Sequence, residues 1–294
     1  MNIRDLKYIT TVASVKSFSK AADICCVSQP ALSMQIKKVE DALRVSLFER
    51  NGKRIEPTLK CYEVVKRAEK ILHEFDALYD IGKENGENQI GELKVGAFPT
   101  VAPYLFPKII PVLTKNFENI DLILIEEKTN ELLTRLDNGE LDMAFIALPV
   151  KIDSFEVHSW YSEEFYLCVS EMNSLYRYET IEYEDLKDQK ILLLTEGHCM
   201  RDQALEICNM FDIETRRDFE GTSLETLKQM VIKNMGVTLI PKMAINNSDK
   251  KLKYIPFGVS EPSRTIAIVW RSYSLRESVY QKILKVLKTT HIIH

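Results

Sequence analysis

Val27-Ser28-Gln29-Pro30-Ala31-Leu32-Ser33-Met34-Gln35-Ile36-Lys37-Lys38-Val39-Glu40-Asp41-Ala42-Leu43 is the stretch that decides how the first part of this chain folds. Ser28 has the hydroxyl of a helix N-cap, and Pro30 falls in the first turn, where its missing N–H costs nothing. Leu32, Ile36, Val39 and Leu43 step by four, three and four, which predicts a buried stripe. Gln29, Ser33 and Lys37 step by four on another face, beside Gln35 and Lys38. That face is small, polar and cationic, suited to base edges and phosphates in a DNA major groove.

The neighbouring residues extend the pattern. Leu6, Ile9, Val12 and Ala13 recur at helical spacing and predict a first amphipathic helix. Residues 18–24 read as a short second helix capped by Ser17 or Ser19. Cys25-Cys26-Val27 makes the turn into the third. After Leu47-Phe48, the run Glu49-Arg50-Asn51-Gly52-Lys53-Arg54 reads as a basic wing whose cations press on a phosphate backbone. Ser28, Gln29, Pro30, Ser33, Lys37, Arg50, Lys53 and Arg54 are the candidate DNA contacts. Charge agrees: residues 1–60 hold 11 of the 39 basic and 6 of the 43 acidic residues, a net of +5 against −9 for the rest. A basic head on an acidic body calls for an anionic partner for the head alone.

From about residue 58 to 83, Cys61, Val65, Ala68, Leu72, Phe75 and Tyr79 step as a heptad seam, which needs a partner helix and reads as a dimerisation helix. Gly82, Gly86 and the polar residues 83–89 form a hinge. Beyond it, strand-like runs at 93–96, 122–127, 143–147, 156–160, 165–169, 191–194, 237–240, 253–256 and 265–270 are interspersed with helical patterns at 103–117, 130–138, 200–211, 223–234 and 274–289. This predicts an α/β body. The last strand and helix return to its first half, giving two subdomains with a ligand cleft between them. No apolar run approaches the ~20 residues of a membrane span. The start runs straight into an amphipathic pattern, so no signal peptide is expected. The six cysteines form no dense framework and no zinc-ligand spacing, which points to a reducing cytoplasm and no metal or cofactor.

One further stretch carries chemistry: Gly197-His198-Cys199-Met200-Arg201-Asp202-Gln203-Ala204-Leu205-Glu206-Ile207-Cys208. On one helix the two cysteines stand roughly 13 Å apart on opposite faces. A disulfide needs Cα atoms about 4.4–6.8 Å apart, so the pair closes only if the segment is rebuilt. Cys199, at a helix start with His198 and Arg201 nearby, is placed for a lowered pKa; Cys208 sits in an apolar run that keeps a thiol protonated. The spacing alone leaves two readings open, a redox pair or two ordinary buried cysteines.

The head resembles the winged helix-turn-helix of the LysR-type transcriptional regulators. Phe18-Ser19-Lys20-Ala21-Ala22, the run from Val27 to Ile36, Glu40, Leu43, Leu47-Phe48-Glu49-Arg50 and Pro57-Thr58 carry the likeness. One departure follows the wing, where Thr58-Leu59-Lys60-Cys61-Tyr62 replaces the family's Thr-x-Ala-Gly. The body is similar to the peroxide-sensing branch of that family in residues 96–105, 127–129, 197–204, Cys208, 222–227 and 261–266. The resemblance implies an N-terminal all-α winged helix-turn-helix in residues 1–58 and a linker helix and hinge in 59–89. It implies an α/β regulatory domain in 90–294, built of two periplasmic-binding-protein-like subdomains, about 90–161 plus 266–294 and about 162–265. It implies Cys199 as the peroxidatic thiol, Cys208 as the resolving thiol, and Thr100, His198, Arg201 and Asp202 around the thiolate. Thr100, Thr129 and Arg264 are the implied peroxide contacts. Cys25, Cys26 and Cys168 read as packing residues, and Cys61 as part of the seam. The implied partners are pseudo-palindromic double-stranded DNA, further copies of the chain up to a tetramer, RNA polymerase, hydrogen peroxide as input and a thiol reductant for resetting. Two rivals remain: gating by a small metabolite in the cleft, and a thiol peroxidase. A basic head and a heptad seam have no use in a peroxidase.

Overall fold

Asn2 begins the first helix, α1 (Ile3–Val15), through a capping box in which its side chain accepts from the Asp5 N–H and Asp5 accepts from its own. Ser17 caps α2 (Phe18–Ile24), so Ser19 does not. Ser28 caps α3 (Gln29–Leu43) by accepting from the Ala31 N–H. The computed structural model describes residues 1–51, 54–81, 89–150, 154–210, 215–246, 248–258, 261–272, 274 and 276–290. The chain divides into two compact units.

In the first unit Leu32, Ile36 and Val39 are buried with Ile9, Val12, Phe18 and Ala21. Leu43, expected in the same stripe, is 37% exposed. The helix ends there, with Arg44 in the left-handed region, so the stripe has nothing left to cover it. The carboxylate of Glu40 accepts from the N–H groups of Leu47 and Phe48 at 2.6 and 3.2 Å, which fixes the exit of α3 against the wing. The wing is an antiparallel pair, β1 (Phe48–Asn51) and β2 (Arg54–Pro57). Helix α4 (Leu59–Ile81) follows. Cys61 is buried in the head's own core, so this position of the seam is filled by its own chain rather than by a partner. Among the described residues of α4, the exposed large apolar side chains are Leu59, Tyr62, Ile71 and Leu78.

In the second unit β3 (Gln89–Ala97) lies parallel to β4 (Glu118–Glu126) and β5 (Met143–Leu148). The last strand, β11 (Ser263–Arg271), pairs antiparallel with β5, returning the chain to its first half. Helices α5 (Ala102–Asn116), α6 (Thr129–Asn138) and α9 (Glu277–Thr289) enclose a first core with Leu105, Ile109, Leu132, Phe145, Trp270 and Ile283. A second core, with Leu167, Cys168, Leu192, Leu227 and Ile240, lies among β7 (Ile191–Leu194), α7 (Cys199–Met210), β8 (Thr215–Gly221), α8 (Leu224–Ile232), β9 (Thr238–Pro241) and β10 (Leu252–Ile255).

Between the cores runs β6 (Phe155–Ser170), a single strand of 16 residues. The sequence predicts two strands here, 156–160 and 165–169. In the structure Ser162, Glu163 and Glu164 pair with Thr265, Arg264 and Ser263 of β11 and the ladder continues. Farther on, β6 pairs with β9 and β10. Strand β8 was not expected: Thr215-Arg216-Arg217-Asp218-Phe219-Glu220-Gly221 has no apolar alternation, and its parallel pairing with β7 defines it. Among the described residues no helix is long and apolar enough to cross a membrane.

Candidate functional site

Gly197 turns the chain from β7 into α7 with φ +85°, and a Cβ added there would stand 3.0 Å from Lys128 Cδ. Replacing Gly197 by alanine is therefore expected to cost about 1–3 kcal/mol in urea unfolding, because an L-residue is strained at that φ. Helix α7 then begins at Cys199. Met200, Ala204 and Cys208 recur every four residues and are each 3% exposed, forming the stripe that enters the second core. Cys199 is half-buried and packs against the first core instead. Nine positions amount to half a turn of phase and a rise of roughly 13 Å. Both cysteines are free, and they belong to different cores.

The cation that acts on Cys199 comes from β11. Arg264 is fully buried; its Nε donates to Glu163 Oε2 at 2.7 Å and its Nη1 to Thr100 Oγ1 at 2.7 Å. Nη2 also donates to the Thr100 carbonyl at 3.2 Å. Glu163 is buried too and accepts from the Met243 N–H at 2.9 Å. The rings of Phe98 and Phe165 hold the guanidinium at 5.2 and 5.5 Å. Burial pushes the Cys199 thiol above its ordinary range; Arg264 and the N–H groups of Met200 and Cys199 pull the other way. The lowered pKa expected from the sequence is thus not present in this state. Burial outweighs the helix start, and the adjacent residues do not supply the charge. His198 is buried, and burial followed by Lys128 pushes its imidazole below its usual range, which favours the uncharged form. Arg201 donates to the Leu194 carbonyl at 2.7 Å, tying α7 to β7. Asp202 is exposed, and its charge pushes the Cys199 thiol up. Alkylation of Cys199 by a neutral reagent is accordingly expected to keep rising with pH past 9.0, the ordinary value for a thiol. A rate already flat at neutral pH, followed by peptide mass spectrometry, contradicts this.

Thr100 lies just before α5 and does not cap it; Val101 holds the cap position without a side-chain bond. Its hydroxyl oxygen accepts from Arg264, which leaves the O–H free to donate. Thr129 opens α6, is buried, and has a hydroxyl with no hydrogen-bond partner among the described residues. The structure therefore joins Thr100 to Arg264 directly, and Cys199 to both through Arg264's charge. Glu163 was missed by the sequence reading, as was the hydroxyl of Tyr104, which donates to Glu225 at 3.2 Å and links α5 to α8. Glu163 faces Arg264 across a strand pairing, and no local signal marks that register.

In the head, Ser28, Gln29, Pro30 and Lys37 are exposed and Ser33 partly so. Gln35 turns inward and donates to Asp5 at 2.8 Å, so it leaves the outward face. Arg50 and Arg54 lie on β1 and β2, with their side chains outside the description; Lys53 lies outside the described residues. Cys168 is buried in the second core, with its thiol pushed up to about 12 by burial. Cys25 packs against the head's core, but Cys26 is exposed and is not a packing residue.

Residues 3–61 match the family model "Bacterial regulatory helix-turn-helix protein, lysR family", and residues 86–291 match "LysR substrate binding domain". The "Hydrogen peroxide-inducible genes activator" of Haemophilus influenzae is 38% identical over 285 residues, covering 96% of this chain and 95% of the relative. The "DNA-binding transcriptional dual regulator OxyR" of Escherichia coli K12 is 38% identical over 290 residues, covering 98% and 95%. A full-length OxyR variant from Pseudomonas aeruginosa superposes with a TM-score of 0.81 at 33% identity, covering 99% and 96%. With the helix-turn-helix and the α/β body both matched along their lengths, the chain belongs to the LysR family of bacterial regulators.

Proposed function

We propose that this LysR-type regulator senses hydrogen peroxide by reversible formation of a Cys199–Cys208 disulfide and activates oxidative-stress genes. The observation that carries the reading is the placement of the two thiols. They lie on one helix, half a turn out of phase, and are seated in different cores. Bond formation between them is incompatible with α7 as it stands, so oxidation must rebuild the segment. The relatives named for peroxide induction support the same input.

The chemistry runs in two steps. The Cys199 thiol gives up its proton and its sulfur attacks one peroxide oxygen; the O–O bond breaks, leaving a sulfenic acid and water. The Cys208 thiol then displaces the sulfenic hydroxyl, giving the disulfide and a second water. A thiol that rests protonated needs stabilising charge as it ionises, and Arg264 is fixed in place for that. Thr100 can offer its free O–H to the peroxide, and the unpartnered hydroxyl of Thr129 is a further contact. His198, Arg201 and Asp202 serve as positioning groups. Peroxide is thus the signal, consumed once per oxidation, and the protein is not an enzyme. A cytoplasmic thiol reductant resets it.

Residues 1–58 read DNA through Ser28, Gln29, Pro30, Ser33, Lys37, Arg50, Lys53 and Arg54. Residues 59–89 link and pair the copies, and 90–294 carry the sensor. Ile71 and Leu78, seven residues apart and exposed, give α4 two apolar side chains to offer a second copy. A dimer fits pseudo-palindromic sites, and two dimers make the tetramer that engages RNA polymerase. The test is a non-reducing peptide map after mild peroxide treatment. It should show the peptides carrying Cys199 and Cys208 linked, and the Cys208→Ser protein should instead hold a trappable sulfenic acid at Cys199. Unlinked peptides alongside an activated promoter would falsify the proposal.

A further inference from the structure

We propose that Cys26 is a second thiol site, outside the sensor, that takes up an anionic low-molecular-weight disulfide and thereby loosens the head's hold on DNA. The inference rests on the DNA-binding reading of the head. A surface cavity of about 430 Å³ lies between the start of α1 and the turn joining α2 to α3. Arg4, Lys7 and Tyr8 form one side, and Ile24, Cys25 and Cys26 the other. That volume is in the range of small-molecule sites.

The turn is fixed by backbone bonds from Cys25 to Ala21 at 2.9 Å, Cys26 to Asp23 at 3.1 Å and Val27 to Ala22 at 3.0 Å. Cys26 takes the left-handed conformation, φ +54°, and its side chain is exposed, whereas Cys25 is half-buried against the core. The two sulfurs are poor partners for each other: adjacent Cα atoms stand about 3.8 Å apart, inside the roughly 4.4 Å lower limit of ordinary disulfides. A disulfide at Cys26 therefore takes its second sulfur from outside the turn. The cavity defines the chemistry of the molecule that brings it. Arg4 and Lys7 are exposed cations with no ion-pair partner among the described residues. Ile24, 59% exposed, adds an apolar wall. A peptide-like disulfide bearing carboxylates meets all three features.

The step is thiol–disulfide exchange. The Cys26 thiol loses its proton to solvent and its sulfur attacks one sulfur of the disulfide. A Cys26–S bond forms, the original S–S bond breaks, and the other half leaves as a thiolate. Cys26 is oxidised and the leaving half is reduced, so the electrons balance. The adduct sits two residues before Ser28, the cap of α3, and puts carboxylates where DNA phosphates would approach Gln29. The head would then have a redox input distinct from the α7 switch.

The test uses the full-length protein, glutathione disulfide as the probe, and cystamine, whose arms are cationic, as the counter-probe. Rates are normalised to those of a free model thiol. Peptide mapping is expected to place one glutathione on Cys26, formed about tenfold faster than the cystamine adduct, with Arg4→Gln plus Lys7→Gln removing the preference. Binding to a random-sequence duplex at low salt, read by fluorescence anisotropy, should weaken about tenfold in the adduct. A thiol reductant should restore it, and Cys26→Ser should show neither the adduct nor the loss. Modification confined to Cys199 or Cys25, equal rates for the two probes, or unchanged duplex affinity of the adduct overturns the inference. An unmodified protein that fails to bind the duplex overturns the regulator reading instead, and the mapping arm still decides whether Cys26 is the site.

Discussion

A Cys199→Ser protein is expected to drive no peroxide-induced transcription, its reporter output staying at the level of the untreated cell. The serine hydroxyl fills nearly the same space against the first core, so the fold is expected to be retained, which urea unfolding checks. What is lost is the sulfur that can be oxidised; an alcohol is inert toward peroxide at neutral pH. Cys208→Ser separates the two steps, because Cys199 can still reach the sulfenic acid but finds no thiol to close on. A Cys199→Ser strain that still answers peroxide rules out the disulfide switch and favours gating by a metabolite in the cleft. The two possibilities differ in one observable, the linkage of the Cys199 and Cys208 peptides after treatment, which only the switch produces.

The second large effect concerns the buried pair beneath the site. Glu163→Ala is expected to destabilise the second unit by about 3–5 kcal/mol, because it leaves a buried guanidinium uncompensated. Both partners have fully buried side chains, at 2.7 Å from each other. Arg264 would keep only Thr100 and the flanking rings. Urea unfolding measures the loss. The double replacement Glu163→Leu with Arg264→Met should recover most of it, since two apolar side chains have no charge to desolvate. Reactivity should not recover with stability. Without Arg264 nothing charged opposes the burial of Cys199, so its thiol moves further up and alkylation at neutral pH slows. A single replacement costing under about 1 kcal/mol would make Glu163 an ordinary polar residue.

Much of the head was legible because its signals are local. Ser17 and Ser28 are caps, Leu32, Ile36 and Val39 keep helical spacing, and each needs only its near neighbours to be read. The opposition of Cys199 and Cys208 was legible for the same reason, being a property of one helix. The electrostatics of the site were not. Arg201 and His198 are near Cys199 in sequence, yet one donates to a backbone carbonyl and the other is pushed toward its uncharged form by burial. Arg264 acts from a separate strand, β11, where Glu163 of β6 holds it, and cross-strand register carries no local mark. The unbroken β6 and the charged β8 were hidden likewise, since each owes its conformation to pairing rather than to its own pattern.

Strand β6 has a mechanical consequence. A strand of 16 residues extends roughly 50 Å, and here it is one continuous spine shared by both halves of the sensor. A jaw-like swing of one half against the other would have to bend that spine, whose ladder with β11 has an irregularity between Ile266 and Ala267. A local refolding of α7 would leave that spine as it stands. Under the disulfide reading, a rebuilt α7 would change the relief of its own surface while the frame beneath it stands still.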